Sequence, residues 1–315
     1  MKDQHVSDRL KGRKYDVLCI GQAVIDCIPR GQEADKHREI VFRAERIELH
    51  IGGDAVNESI ALSEMGYRAA IACGVGTDAA GNLLRTELAR HGVDTSCVRV
   101  MEELTTPIAQ LVVHQDGGRH SINSRATMLQ GYVPALGKKE MESAAIVSFA
   151  SLFRAPLDQA DVVKTLLRSA KEAGSVISAD TKLPTYREMR MDDLADVWPL
   201  VDYIFPNEKE AAYYAGYEGK TLSGQDYFSV ADFFRGYGIR NVIIKAGAEG
   251  CYVSGEEGQF HLPARPVEVI DSTGAGDNFV AGFLSGVLRG EDTGSCAERG
   301  LDRAARCISR MGAGG

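Results

Sequence analysis

The sequence predicts an α/β fold: a mostly parallel central sheet with helices on both faces, three layers in all, and a small separate β-sheet beside it. Two observations predict the main body. Short apolar runs of strand length alternate with helical apolar patterns along most of the 315-residue chain, the signature of repeated β-then-α units. Glycines close several of those units, as expected at helix C-termini. A third observation, a hairpin pattern that interrupts the alternation, predicts the small sheet.

Taken in order, residues 15–20 are apolar and stop at Gly21, a first core strand. Residues 55–65 have helical spacing and end at Gly66, and 68–73 return to strand. Residues 78–91 form an amphipathic helix closed by Gly92. Strand is expected at 146–149, helix at 157–173, and strand at 176–179 and 203–205. Helix follows at 207–214 and 229–237, strand at 241–244, and helix at 276–288 and 296–311. The interruption is the apolar run 108–114, then Asp116-Gly117-Gly118, then 119–123, which reads as a β-hairpin with a glycine turn. With 25–28 and 41–49 it is expected to build a discontinuous sheet from about 25–50 and 105–125, a lid over a site or a plain edge hairpin. Residues 1–14 read as a flexible polar lead-in without an apolar signal core, and 15–315 as one domain.

Composition excludes several function classes. A formal net charge of −8 argues against a nucleic-acid-binding surface. No stretch approaches the roughly 20 apolar residues that span a bilayer, so no membrane partner is expected. The seven cysteines are scattered without a C-x-x-C pair, which suits reduced thiols in a cytoplasmic protein. The histidines have no metal-ligand spacing. Gly219-Lys220-Thr221 imitates the end of a P-loop, but Tyr214 stands where that motif needs its first glycine.

The chemistry concentrates in Asp271-Ser272-Thr273-Gly274-Ala275-Gly276-Asp277, which runs into an apolar helix. The first N–H groups of a helix lack intrahelical partners and sit at the positive end of its dipole. Gly274, Ala275 and Gly276 carry little side-chain bulk, so an anion can reach those N–H groups. Asp277 stands where a carboxylate can take a proton from a hydroxyl beside the anion. An anion hole next to a base equips a protein for phosphoryl transfer to an alcohol; an N-capped buried helix is the plainer reading.

Other candidates cluster around it. Gly52 and Gly53 permit close backbone approach before a helix that carries Asn57, suiting a polyhydroxylated ligand or a simple turn. Asp26 is an acid within an apolar strand end and needs a partner, which sugar hydroxyls can supply. Asn207 and Glu210 follow a strand at the usual ligand crevice, where they organise a Mg²⁺ water shell or cap a helix. Lys245, Gly247, Glu249 and Gly250 end another strand and border a nucleotide or form a hairpin. Gly74-Val75-Gly76-Thr77-Asp78-Ala79 fits a loose dinucleotide fingerprint, which makes an NAD-binding oxidoreductase the alternative from another class.

Two motifs together resemble the PfkB (ribokinase-like) carbohydrate kinases. One is Gly52-Gly53-x-x-x-Asn57-x-Ser59 followed by Gly66 and Gly76. The other is Asp271-Ser272-x-Gly274-Ala275-Gly276-Asp277 followed by Ala281-Gly282-Phe283-Leu284. The resemblance extends from about Tyr15 to the end of the chain and implies a ribokinase-like α/β/α fold and an ATP-dependent sugar kinase. It implies Asp277 as catalytic base, Gly274, Ala275 and Gly276 as anion hole, and Asp26, Gly52, Gly53 and Asn57 as the sugar site. It implies Asn207 and Glu210 for Mg²⁺ and phosphate, and Lys245, Gly247, Glu249 and Gly250 beside ATP. Asp271 and Thr273 match a loop that holds a monovalent cation such as K⁺ in relatives. The small sheet implies a lid that also forms a homodimer interface. The sequence departs from the family at Asp180-Thr181-Lys182-Leu183-Pro184, where many relatives have Asp-Pro-Asn-x-Arg, and at Val24, where ribokinases have Asn. A nucleoside kinase of the same fold is the nearest alternative. Sugar phosphates stay open through Arg43, Arg119, Arg125 or Arg154.

Overall fold

Alternation of buried side chains explains why the chain builds a sheet covered twice. In strand β1 (Tyr15–Ile20), Val17 and Cys19 point to one face and Leu18 and Ile20 to the other, and all four are fully buried. The structure is a computed structural model that describes residues 12–30, 44–113, 119–124 and 136–310. The expected hairpin turn at 116–118, the start of the lead-in, the end of the chain, and Arg43 and Arg125 lie outside the described residues.

β1 pairs in parallel with β4 (Ala69–Ala72) and with β9 (Ala144–Leu152), whose nine residues are all buried. The parallel run continues through β10 (Val176–Thr181), β11 (Tyr203–Ile204) and β12 (Asn241–Lys245). β13 (Cys251–Gly255) and β14 (Gly258–Leu262) then turn antiparallel and close the edge. Among the described residues the order is β14-β13-β12-β11-β10-β9-β1-β4.

Helices α1 (Asp54–Glu64), α7 (Ala275–Arg289) and α8 (Thr293–Ile308) pack on the face that carries Val17, Cys19 and Ile243, joined there by α2 (Ala79–Arg90). Helices α3 (Lys138–Glu142), α4 (Ala160–Glu172), α5 (Glu208–Tyr214) and α6 (Gln225–Gly236) cover the face that carries Leu18, Ile20 and Ile244. Helix starts depart from the sequence expectation where local polar bonds decide them. α4 begins at Ala160 because Phe153 N and Leu157 O close a 3.0 Å turn ahead of it. α8 begins at Thr293 because the Asp292 carboxylate accepts from Ser295 N at 2.8 Å.

A second sheet has the order β3-β2-β7-β8. It contains β2 (Val24–Arg30), β3 (Arg46–Gly52), β7 (Ile108–Val113) and β8 (Arg119–Asn123). β3 runs later than the expected 41–49, because Gly52 pairs with Val24 and hands the chain straight to Gly53 and α1. Arg13, within the expected lead-in, donates its guanidinium to Ala144 O at 2.8 Å and to Ala173 O at 2.7 Å.

The glycines weighed as a dinucleotide fingerprint do structural work instead. β5 (Gly74–Gly76) pairs in parallel with β6 (Arg99–Met101), a strand pair that the sequence reading lacked. Gly76 N donates to Thr106 Oγ1 at 2.9 Å, and Gly81 N to Asp78 Oδ1 at 2.8 Å. The Gly76 amide is thus committed inside the protein, and β5 is tied to β6. No helix among the described residues is long and apolar enough to cross a membrane.

Candidate active site

The site forms where α1 and α7 start on the same side of the sheet. Gly274 takes the left-handed conformation with φ 73° and lets the chain swing into α7, a position that strains any other L residue. The turn before it is self-braced: Asp271 Oδ1 accepts from Thr273 N at 2.9 Å and Thr273 Oγ1 at 2.7 Å. Ala275 N makes only a long 3.3 Å turn bond to Ser272 O. Gly274, Ala275, Gly276 and Asp277 line a cleft of about 710 Å³ at this helix start.

Asp277 is buried on that first turn. Its Oδ2 accepts a 2.8 Å hydrogen bond from Asn57 Nδ2 on α1. Burial pushes its pKa up to about 7, aided by the negative charges of Asp54 and Asp180 and opposed by Lys182 and the Asn57 amide. A carboxyl poised there can exchange a proton near neutral pH.

Lys182 is the residue that sequence reasoning undervalued. Its ammonium lies 3.1 Å from Asp54 Oδ1, 3.1 Å from Asp180 Oδ2 and 3.5 Å from Asp277 Oδ1. Burial works against that charge, but Asp180, Asp54 and Asp277 outweigh it and hold the Lys182 pKa well above the usual lysine value. Asp54, also absent from the expected set, is bound by Ser151 Oγ at 2.9 Å. Burial of Asp54 favours its proton, but Lys182, Arg154 and Ser151 together bring its pKa below the ordinary value. Lys245 Nζ pairs with Asp180 Oδ1 at 2.5 Å, and a Cβ added at Gly276 would stand 3.3 Å from that ammonium. The signal in the sequence was the departure Asp180-Thr181-Lys182 at the carboxyl end of a parallel strand.

The other expected residues divide by location. Gly53 caps α1 with φ 100°, and a Cβ on it would run into Gln22 O. Asp26 lies against Gly52, and burial raises its pKa to about 6 while His50 pulls the other way. Asn207 and Glu210 form a reciprocal cap at the start of α5. Asn207 N donates to Glu210 Oε2 at 2.9 Å and Asn207 Nδ2 to Glu210 Oε1 at 2.6 Å, while Thr181 Oγ1 adds a 3.1 Å bond to Oε2. Asn207, Lys245, Gly247 and Gly250 line the cleft. Glu249 does not: its carboxylate accepts from Tyr252 OH at 3.0 Å. Val267, Val269, Leu301 and Ile308 form an apolar wall opposite, which the sequence reading missed because it converges from a loop and from α8. Arg154 sits on the turn after β9 with its Nε buried and without a hydrogen bond among the described residues.

Residues 14–315 match the family model described as pfkB family carbohydrate kinase. An uncharacterized sugar kinase of Archaeoglobus fulgidus is 29% identical over 257 residues, covering 80% of this chain and 96% of that protein. A cytidine kinase of Thermococcus kodakarensis is 29% identical over 305 residues, covering 94% and 97%. A solved Escherichia coli structure, titled as a putative ribokinase II in complex with ATP and Mg²⁺, superposes with a TM-score of 0.76 at 22% identity, covering 95% of this chain and 94% of that one.

Proposed function

The chain belongs to the pfkB family of carbohydrate kinases, and from that premise we propose that it transfers the γ-phosphoryl group of ATP to a hydroxyl of a small carbohydrate, with Asp277 as the general base. One observation carries the reading. Asp277 is a buried carboxylate on the first turn of α7, in the same cleft as the Gly274, Ala275 and Gly276 backbone. In this reading Asp277 accepts the hydroxyl proton as the oxygen bonds to the γ-phosphorus and the bond to ADP breaks. The three amides hold the phosphoryl oxygens while charge builds on them, so positioning and electrostatics do most of the catalysis.

Asp26, Gly52, Gly53 and Asn57 hold the acceptor, and the four-stranded sheet closes over it to exclude water. Lys245 and the backbone of Gly247 and Gly250 border ATP, with Glu249 beside them accepting from Tyr252 OH. When bound, Mg²⁺ supplies neutralising charge to the phosphates. Glu210 already accepts three protein hydrogen bonds, which fits contact through water better than direct ligation. The oxygens of Asp271 and Thr273 suit K⁺. Ile47, Leu49, Ile108 and Ile122 are exposed apolar residues on the second sheet and support a homodimer through it. The free cysteines suit a cytoplasmic setting.

A nucleoside acceptor is the second reading, favoured by the cytidine kinase match over 94% of the chain. The test is ADP release from ATP, Mg²⁺ and K⁺ across pentoses, hexoses, sugar acids, sugar phosphates and nucleosides. The expected result is one strong sugar signal that vanishes in Asp277→Asn. A strong nucleoside signal selects the second reading, and unchanged activity in the variant removes Asp277 as base.

A further inference from the structure

The cluster around Lys182 is not used by the reading above, which needs only Asp277 and the α7 amides for chemistry. Its construction is specific. Lys182 leaves the end of β10 with its backbone held on both sides: its N–H donates to Leu152 O at 2.8 Å, and its carbonyl accepts from Tyr214 OH at 2.7 Å. The side chain is only 12% exposed, and its ammonium is shared by Asp54, Asp180 and Asp277. Asp180 also binds Lys245, whose ammonium lies against Gly276. Two cations bridged by one carboxylate thus reach from the start of α7 to the base. A methionine would fill the same space without burying a charge, so packing alone does not explain a lysine here.

We propose that Lys182 takes part in phosphoryl transfer: it holds Asp277 as a carboxylate before the reaction and turns its charge toward the transferring phosphoryl group as Asp277 takes up the acceptor's proton. The proposal rests on Asp277 being the base. Before transfer the Asp277 carboxylate faces Lys182 after β10, Asp180 on β10, and Asp54, Asn57 and Glu58 on α1. Cys307 on α8 senses it as well. Burial and the like charges of Asp54 and Asp180 favour its proton, and the adjacent Lys182 ammonium keeps it ionised. During transfer the acceptor O–H bond breaks and its proton moves to Asp277. The oxygen then bonds to phosphorus, and the electrons of the broken P–O bond leave on ADP. Asp277 becomes neutral, so Lys182 loses one of three counter-charges just as charge grows on the phosphoryl oxygens. No proton leaves Lys182.

The test compares Lys182→Met, Lys182→Arg, Asp54→Asn and Asp277→Asn, reading kcat, KM, the pH profile of kcat/KM and affinity for a non-hydrolysable ATP analogue. Lys182→Met is expected to keep that affinity within about threefold, to lose roughly 100-fold in kcat, and to shift the acid limb of kcat/KM upward by about one pH unit or more. Lys182→Arg restores part of the kcat. Asp54→Asn removes a like charge and moves the acid limb down, which tests the same electrostatics should Lys182→Met not fold. An acid limb in Lys182→Met within about 0.3 pH unit of the wild type, or an upward move in Asp54→Asn, overturns the proposal. Turnover retained by Asp277→Asn defeats the underlying assignment of the base; an inactive Asp277→Asn with an unmoved Lys182→Met profile defeats the Lys182 role alone.

Discussion

Asn57 and Asp277 stand 220 residues apart in the sequence, and Asn57 Nδ2 donates a 2.8 Å hydrogen bond to Asp277 Oδ2. The bond fixes one carboxylate oxygen against α1 and leaves Oδ1 on the Lys182 side. It also stabilises the ionised form of a carboxyl that burial drives toward neutrality. Replacing Asn57 with Leu removes the donor and adds apolar surface. Its kcat/KM at neutral pH is expected to fall roughly 10- to 100-fold, with an acid limb displaced to higher pH. Steady-state rates from about pH 5.5 to 9 check this, and an unmoved limb counts against the assigned bond.

Stability carries a pH signature of opposite sign to activity. Asp26, Asp277 and Glu58 have native pKa values raised to about 6, about 7 and about 8, above ordinary values of 3.8, 3.8 and 4.5, chiefly by burial. Between those limits the native state binds more protons than the unfolded state, so stability must fall as pH rises. The apoprotein is expected to melt higher at about pH 5.5 than at about pH 8.5, while kcat/KM rises over the same range. Glu58→Gln stays neutral and flattens the slope, with a melting gain on the order of 1–2 °C at about pH 8.5. Differential scanning calorimetry decides the matter; a wild-type melting point that climbs across this window contradicts these pKa directions.

Two neighbouring glycines are expected to fail differently. Gly274→Ala forces an L side chain into φ 73° and costs roughly 1–2 kcal/mol besides crowding the amides. Gly276→Ala keeps helical backbone and meets only the flexible end of Lys245 at 3.3 Å. Its stability should stay within about 0.5 kcal/mol of wild type while kcat drops roughly tenfold or more. Denaturant titration paired with turnover separates the two; equal stability losses would mean that the φ assignment does not matter.

The exposed face of the second sheet gives an assembly prediction. Ile47 is 66% exposed, Leu49 57% and Ile122 61%, an apolar surface across β3 and β8. The wild type is expected to be a dimer by light scattering at micromolar concentration, and Leu49→Glu a monomer with raised KM for the acceptor. A wild-type monomer removes the interface.

The parts of the site that were legible in the sequence are those built from local pattern. Small residues ahead of an apolar helix announced Gly274, Ala275, Gly276 and Asp277, and the Gly52-Gly53 turn announced the helix that presents Asn57. The parallel core followed from apolar runs such as 15–20, because strands buried on both faces read as continuous hydrophobic stretches. Lys182 was legible only as a departure from a family pattern. Its role depends on three carboxylates that converge from β10, α1 and α7, and convergence is not written in any local window. Glu249 was legible as part of a strand-end turn, but the bond its carboxylate accepts from Tyr252 on β13 was not. Asn207 and Glu210 carried two compatible readings, and the reciprocal cap is made by hydrogen bonds between the two residues themselves.

The most direct test of Asp277 as the base is a single-turnover measurement of phosphoryl transfer by Asp277→Asn, with the acceptor identified by the ADP-release panel. Calorimetric affinity for the ATP analogue is measured on the same protein. The account predicts binding within about threefold of wild type and transfer slowed by at least roughly 1,000-fold, since the amide fills the same space but cannot take the proton. Transfer within about tenfold of wild type at unchanged affinity would contradict it and move the search for the base elsewhere in the cleft.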